Sequence, residues 1–250
     1  MHTPASMPKS LSQPNSPSNT VLSSADHEEI ESQPSVTPAP PAAAPKLRPY
    51  QVQLVNDLYR ELNEGYKRVA IIAGTGAGKT IISGQICAHA EEAGKRLMFL
   101  VHLDVLVGQT YEKMKAFGVQ CGFIIAGWEE NRDAPIQIAS FQTMAKRRWW
   151  QKWPADVVFY DEGHITLFSQ VGKKVMLKTH ANAVHLVMTA TPLRLGKEQL
   201  GDYLETLVSS PVPRVLQDMG YLSQMIYYSM PRELKAILEV EKTSRGDYVE

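Results

Sequence analysis

From Lys46 onward, short apolar runs alternate with longer amphipathic stretches, which is how strands and helices alternate along a parallel α/β chain. The runs at 68–73 (RVAIIA), 97–101 (LMFLV), 135–139 (PIQIA), 156–161 (DVVFYD) and 184–190 (VHLVMTA) are predicted strands. Helical periodicity predicts helices over 50–63, 79–93 ending before Gly94, 103–117 ending at Gly118, and 141–149. Apolar strands joined by helical crossovers imply an open sheet, which binds its ligand beyond the carboxyl ends of the strands. Residues 1–45 break the pattern. They hold nine of the sixteen prolines and nine serines, without glycine or aromatic residues, and too little apolar surface to offset the entropy of ordering. This predicts a disordered Pro/Ser-rich tail, either a spacer or an arm that docks a partner.

A chain of 250 residues with 44% hydrophobic content can bury one sizeable core. No run approaches the roughly 18 apolar residues that span a bilayer, and the first residues lack a basic start and an apolar segment, so neither a membrane span nor a secretory signal is expected. Cys87 and Cys121 lack CxxC spacing and nearby paired histidines. That argues against a disulfide framework or a zinc site and fits a reducing cytoplasm. Net charge is zero, but residues 1–45 carry one base and four acids, which leaves the remainder mildly basic. Such an excess does not imply a nucleic-acid partner by itself, because phosphate contact depends on clustered Lys and Arg.

The candidate chemistry begins where the first strand ends. Ala73-Gly-Thr-Gly-Ala-Gly-Lys-Thr80 lies between a strand and a helix, the context in which a glycine-rich loop wraps a triphosphate. Gly74, Thr75, Gly76, Ala77 and Gly78 would aim backbone N–H groups at phosphate oxygens. Lys79 would reach the β and γ phosphates, and Thr80 would place its hydroxyl on Mg²⁺. Further on, the strand ending at Tyr160 runs into Asp161-Glu162-Gly163-His164, which puts two carboxylates at the same end of the sheet. Asp161 suits the Mg²⁺ shell and Glu162 a general base for the attacking water, so ATP and Mg²⁺ are the expected cofactors.

Together with Leu47-Arg-Pro-Tyr-Gln51, Phe99-Leu-Val-His102, Ala139-Ser-Phe-Gln-Thr143 and Thr189-Ala-Thr-Pro192, these segments resemble the first RecA-like lobe of superfamily two DEAD/DEAH-box-type helicases and translocases. The resemblance covers roughly residues 46–230. It is closest to RadD-like and XPB-related repair helicases and to the ATPase subunits of type I and III restriction enzymes. It implies a P-loop NTPase lobe in which Gln51, with Arg48, contacts adenine. Thr189 and Thr191 would couple the nucleotide site to movement, with His164 linking them to the acidic pair. The alternatives are hydroxyls that cap a turn and a surface histidine.

The same resemblance assigns sugar–phosphate contact to Ser140, Gln142 and Thr143. Lys146-Arg-Arg-Trp-Trp-Gln-Lys-Trp153 concentrates four bases and three tryptophans. Arg147 and Arg148 there are candidate nucleic-acid contacts, unless the tryptophans pack beneath the sheet. Leu103 stands where the family commonly carries a basic residue, and Tyr111, Lys113 and Lys115 read as the solvated face of a helix. DNA is the expected polymer, with RNA second and DNA repair the expected process. Such motors hydrolyse ATP between two lobes, and residues 231–250 read as the start of a connection to a second one, to be supplied by another chain or copy. A nucleotide- and nucleic-acid-binding module without turnover, or the motor part of a restriction complex, are the other readings.

Overall fold

The computed structural model describes residues 45–102, 106–193 and 197–224. The tail 1–44, Leu103 and residues 231–250 lie outside the described residues. The described chain runs α1 (Pro49–Asn63), β1 (Arg68–Ile72), α2 (Lys79–Glu92), β2 (Leu97–Val101), α3 (Leu106–Ala116), β3 (Cys121–Ile124), β4 (Ile136–Ser140) and α4 (Phe141–Lys146). It continues through β5 (Val157–Tyr160), α5 (Gly163–Thr166), α6 (Gln170–Lys174), β6 (Val184–Thr189), β7 (Thr206–Ser209) and α7 (Pro213–Asp218).

All the strand pairings are parallel, in the order β3-β4-β2-β5-β6-β1-β7. β6 lies between β1 and β5, with Ile72 level with Thr189 and Tyr160 level with Val187. The carboxyl ends of these three strands, each followed by a candidate site segment, therefore open side by side.

Period-two alternation sends each strand's side chains into two cores. Val69, Ile71, Leu97, Phe99, Phe159, Leu186 and Met188 pack under α1, α2 and α3. Met98, Leu100, Val158, Tyr160 and Val187 pack on the other face with Trp150, Trp153, Leu167 and Val175. Phe99 and Phe159 stack face to face across β2 and β5, with ring centroids 4.8 Å apart. Coverage on both faces is why these strands read as near-continuous apolar runs.

The structure departs from the sequence reading at α4, at two edge strands and at the short helices α5, α6 and α7, which that reading did not include. The helix predicted over 141–149 stops at Lys146, because the buried indole N–H of Trp150 donates to the carbonyls of Met144 and Arg147, at 2.8 and 2.7 Å. A 3₁₀ turn, Trp149–Lys152, follows. Strands β3 and β7 were not anticipated. Both are four-residue edge strands, and β7 exposes Leu207, so neither shows the apolar run of a covered strand. Among the described residues no helix is long and apolar enough to cross a membrane, and no group of three or more His, Cys, Asp or Glu could hold a metal ion.

Candidate nucleotide site

The loop between β1 and α2 gets its shape from glycines in the left-handed region. Gly76 has φ 82° and Gly78 has φ 79°. A methyl group on Gly78 would also come within 2.3 Å of the Gln51 amide nitrogen, so a side chain here would be strained in its backbone and would displace the Gln51 amide. Ala77 N–H closes on the Gly74 carbonyl at 3.0 Å. Helix α1 braces the loop, since the Tyr50 hydroxyl and the Gln51 amide both donate to the Ala77 carbonyl, each at 3.0 Å.

Gln51 is buried, and its oxygen accepts from Arg48 N–H at 2.9 Å. In this arrangement an amide expected to read adenine is committed to the loop. Its second amide proton points to the Tyr50 hydroxyl at 3.5 Å, which leaves one lone pair of the amide oxygen for a base. Arg48 donates to the Tyr221 carbonyl at 3.1 Å, with its guanidinium 5.1 Å from the Tyr221 ring centroid. The Tyr221 ring in turn packs against Tyr50. Sequence reasoning missed Tyr221, which lies 173 residues along the chain from Arg48.

Lys79 and Glu162 meet across the crevice, with Nζ 3.1 Å from Oε1. Glu162 has φ 48°, which makes it the one non-glycine residue in the left-handed region among those described. A backbone held there costs of order 1–3 kcal/mol, and such residues concentrate at functional sites. The turn is held on both sides. Asp161 Oδ1 accepts from Glu162 N–H at 3.1 Å, and a methyl group on Gly163 would come within 2.2 Å of Val187 Cγ1 on β6. Burial, followed by the neighbouring Glu162 carboxylate, pushes the Asp161 carboxyl above its ordinary range, against the Glu162 N–H, Lys79 and Lys113.

His164 Nδ1 lies 2.9 Å from Thr189 Oγ1 and 3.5 Å from Glu162 Oε2. The Thr189 hydroxyl donates to the Thr191 carbonyl at 3.2 Å and accepts from Thr191 N–H at 3.0 Å. With that proton on the Thr191 carbonyl, an Nδ1–H tautomer of His164 completes the set as a donor to Thr189 Oγ1. A continuous polar chain runs from Glu162 through His164 to the loop after β6.

A cavity of about 160 Å³ lies between α2, α3 and the acidic turn, lined among others by Lys79, Thr80, Thr110, Lys113, Asp161 and Glu162. Lys113 is exposed on α3, as the sequence reading expects, yet it also reaches the cavity. Its Nζ donates to Thr80 Oγ1 at 3.3 Å. Only the packing of α3 against α2 brings it there. The donor set fits a hard divalent cation, because Thr80 and Asp161 offer a hydroxyl and a carboxylate oxygen at one cavity wall. A larger, mainly apolar cavity of about 560 Å³ lies at the opposite, amino ends of β2, β5 and β6, lined by Leu97, Val157 and Val184, and holds none of this chemistry.

The candidate nucleic-acid residues divide. Ser140 is fully buried and caps α4 by accepting from Thr143 N–H at 3.3 Å. Thr143 is also buried, and its hydroxyl accepts from Ala126 N–H at 3.0 Å. Both hydroxyls accept backbone N–H groups inside the fold and are closed off from solvent in this structure. Gln142 and Arg148 are exposed, whereas Arg147 is half-buried and paired with Glu130. Trp150 and Trp153 are core residues, so of the two readings of that basic, aromatic stretch, packing beneath the sheet holds for both.

Fold and site together define a RecA-like ATPase lobe of the helicase type. More particularly, the chain belongs to the family of the type III restriction enzyme res subunit, which matches residues 44–194, more than half of its length. A type I restriction enzyme EcoAI endonuclease subunit of Escherichia coli is 26% identical over 167 residues, covering 62% of this chain and 20% of that protein. The UvsW helicase of bacteriophage T4 shares the fold with a TM-score of 0.54 at 15% identity, covering 67% of this chain and 62% of that one. So does the ATP-dependent type ISP restriction-modification enzyme LlaBIII bound to DNA, with a TM-score of 0.55 at 16% identity, covering 71% and 16%. The chain spans between a fifth and a third of the length of the curated relatives it matches.

Proposed function

We propose that this chain is the ATP-binding lobe of a DNA translocase or helicase acting in the cytoplasm, whose turnover is completed by a second RecA-like lobe. The observation that carries the reading is the meeting of Lys79 and Glu162 at 3.1 Å, with Thr80 and Asp161 on the same cavity. In the closed ion pair Lys79 neutralises the group that would act as base. On nucleotide binding Lys79 turns to the β and γ phosphates, and Glu162 is released to orient the attacking water and accept its proton. Thr80 and Asp161 would hold Mg²⁺, which supplies neutralising charge to the phosphates. Thr189, bonded to His164 beside Glu162, would carry the state of the site to the Thr191 loop.

DNA is favoured because the restriction-type and helicase relatives include an enzyme seen bound to DNA. Gln142, just after the carboxyl end of β4, and Arg148, beyond α4, are exposed and supply candidate contacts.

The test is nucleotide binding and ATP turnover by the full chain, with and without single-stranded DNA, duplex DNA and RNA, and with Glu162→Gln as control. Turnover stimulated by DNA and lost in the Gln variant supports a DNA motor. Stimulation by RNA alone overturns the choice of polymer. Retained turnover in Glu162→Gln removes Glu162 from the base role. Binding without turnover under every condition, and even with a partner lobe present, leaves a binding module in place of a motor.

A further inference from the structure

The mechanism above leaves one charged group of the cavity unused. Lys113 projects from α3, whose Val107 and Met114 are anchored in the core, and its ammonium donates to Thr80 Oγ1 at 3.3 Å. That oxygen is the one through which Thr80 would hold a divalent cation. Asp161, the second oxygen donor, lines the same wall and feels the attraction of Lys113. Lys79, the cavity's other cation, is already paired with Glu162. An ammonium with three donor protons on a flexible four-carbon stem thus donates to a hydroxyl in a cavity that a carboxylate also lines, the oxygen types a hard cation needs.

We propose that Lys113 is a built-in stand-in for the divalent cation: it holds the Thr80–Asp161 position in the nucleotide-free protein, supports binding of metal-free nucleotide, and must leave Thr80 for Mg²⁺ to enter. The inference rests on the ATP-binding reading above. Its physical basis is charge balance. Lys79 and Lys113 offset Asp161 and Glu162, so the cavity is close to neutral before a polyanion enters. Removing Lys113 leaves a metal-free triphosphate facing two carboxylates with only one ammonium. The same like-charge logic makes Lys113 and Mg²⁺ competitors at Thr80, since two cations cannot share one hydroxyl oxygen in a partly desolvated site.

The experiment is calorimetric titration of the full chain with ATP, in EDTA and across a Mg²⁺ series, for the parent, Lys113→Met and Lys113→Arg. The parent is expected to bind ATP in EDTA. Lys113→Met should weaken that binding about tenfold, the loss of one charge-assisted hydrogen bond. The same variant should reach half-maximal MgATP binding at a lower Mg²⁺ concentration than the parent. Lys113→Arg should restore metal-free binding. A urea midpoint in Lys113→Met equal to the parent's shows that the exposed substitution leaves the fold intact. Unchanged metal-free binding in Lys113→Met, or a higher Mg²⁺ requirement, overturns the assignment to Lys113 alone. A parent that binds ATP with Mg²⁺ but not in EDTA overturns it equally. A parent that binds ATP in neither buffer overturns the nucleotide-site reading itself.

Discussion

Gly163 shows how much one absent methyl group contributes at this site. The acidic turn can lie against β6 only because nothing stands between the Gly163 Cα and Val187. Gly163→Ala should destabilise the chain by about 1–3 kcal/mol through overpacking, and Val187→Ala in the same chain should recover part of that loss. Urea unfolding of the two single variants and the double variant checks this, and additive losses would show that the contact does not matter. One residue earlier, Glu162 holds Lys79 in an ion pair whose side chains are 32% and 20% exposed. Glu162→Gln should release Lys79 and tighten ATP binding by about two- to fivefold, a partly exposed pair being worth about 0.5–1 kcal/mol. Turnover should be lost in the same variant. Weaker ATP binding by Glu162→Gln, measured by calorimetry, would contradict the idea that the pair holds Lys79 back. Of these residues the sequence displays the identities and spacing of Lys79, Asp161 and Glu162. The left-handed backbone of Glu162 and the clash behind Gly163 are invisible there, because both depend on where β6 runs.

At the scale of elements, α1 acts as a strut for the phosphate loop. Tyr50 and Gln51, adjacent on α1, both donate to the Ala77 carbonyl. Tyr50→Phe removes one donor while the carbonyl keeps the other, so a stability loss of about 1 kcal/mol is expected, with a few-fold weaker nucleotide binding. Thermal unfolding and an ATP titration of that variant measure the two effects. Strand β6 carries a different liability. His185 is fully buried between the Tyr160 hydroxyl and the His180 carbonyl, and burial lowers its pKa from 6.5 to about 4. Burial holds His180 down as well. The folded chain thus keeps His185 neutral while the unfolded chain protonates it near 6.5. Stability is fully present above about pH 6.5 and is lost as pH falls toward 4. Between pH 7.5 and 5 this one group should cost about 2 kcal/mol, and His185→Gln should flatten that part of the pH profile. Urea midpoints at the two pH values decide it, and an equally steep profile in His185→Gln would assign the acid sensitivity elsewhere. The central strands and α1, α2 and α3 were legible because each is long or apolar enough to show its period. Helix α4 was overextended because a buried tryptophan from outside the helix terminates it.

For the whole molecule, the described lobe supplies the phosphate loop, the acidic turn and the polar chain to Thr191. In related phosphoryl transfer an arginine finger contributes about 10³ to 10⁵ in rate, so the chain should bind ATP yet turn it over at least about a thousandfold faster once a second lobe is added. Comparing steady-state turnover of the chain with and without that lobe tests this, and full-rate turnover by the chain alone would mean that it completes its own site. The parallel α/β class, the phosphate loop, the carboxylates at a strand end and the resemblance to a helicase lobe were all legible in the order of the residues. Each of these is a local pattern, set by side-chain period or by a motif whose members lie within a few residues. Long-range packing is what sets Tyr221 on Arg48, buries Ser140 and Thr143, and brings Lys113 to Thr80. Those facts depend on which helix faces which strand end. That placement follows from the packing of two cores across the whole sheet, which no short window of sequence contains.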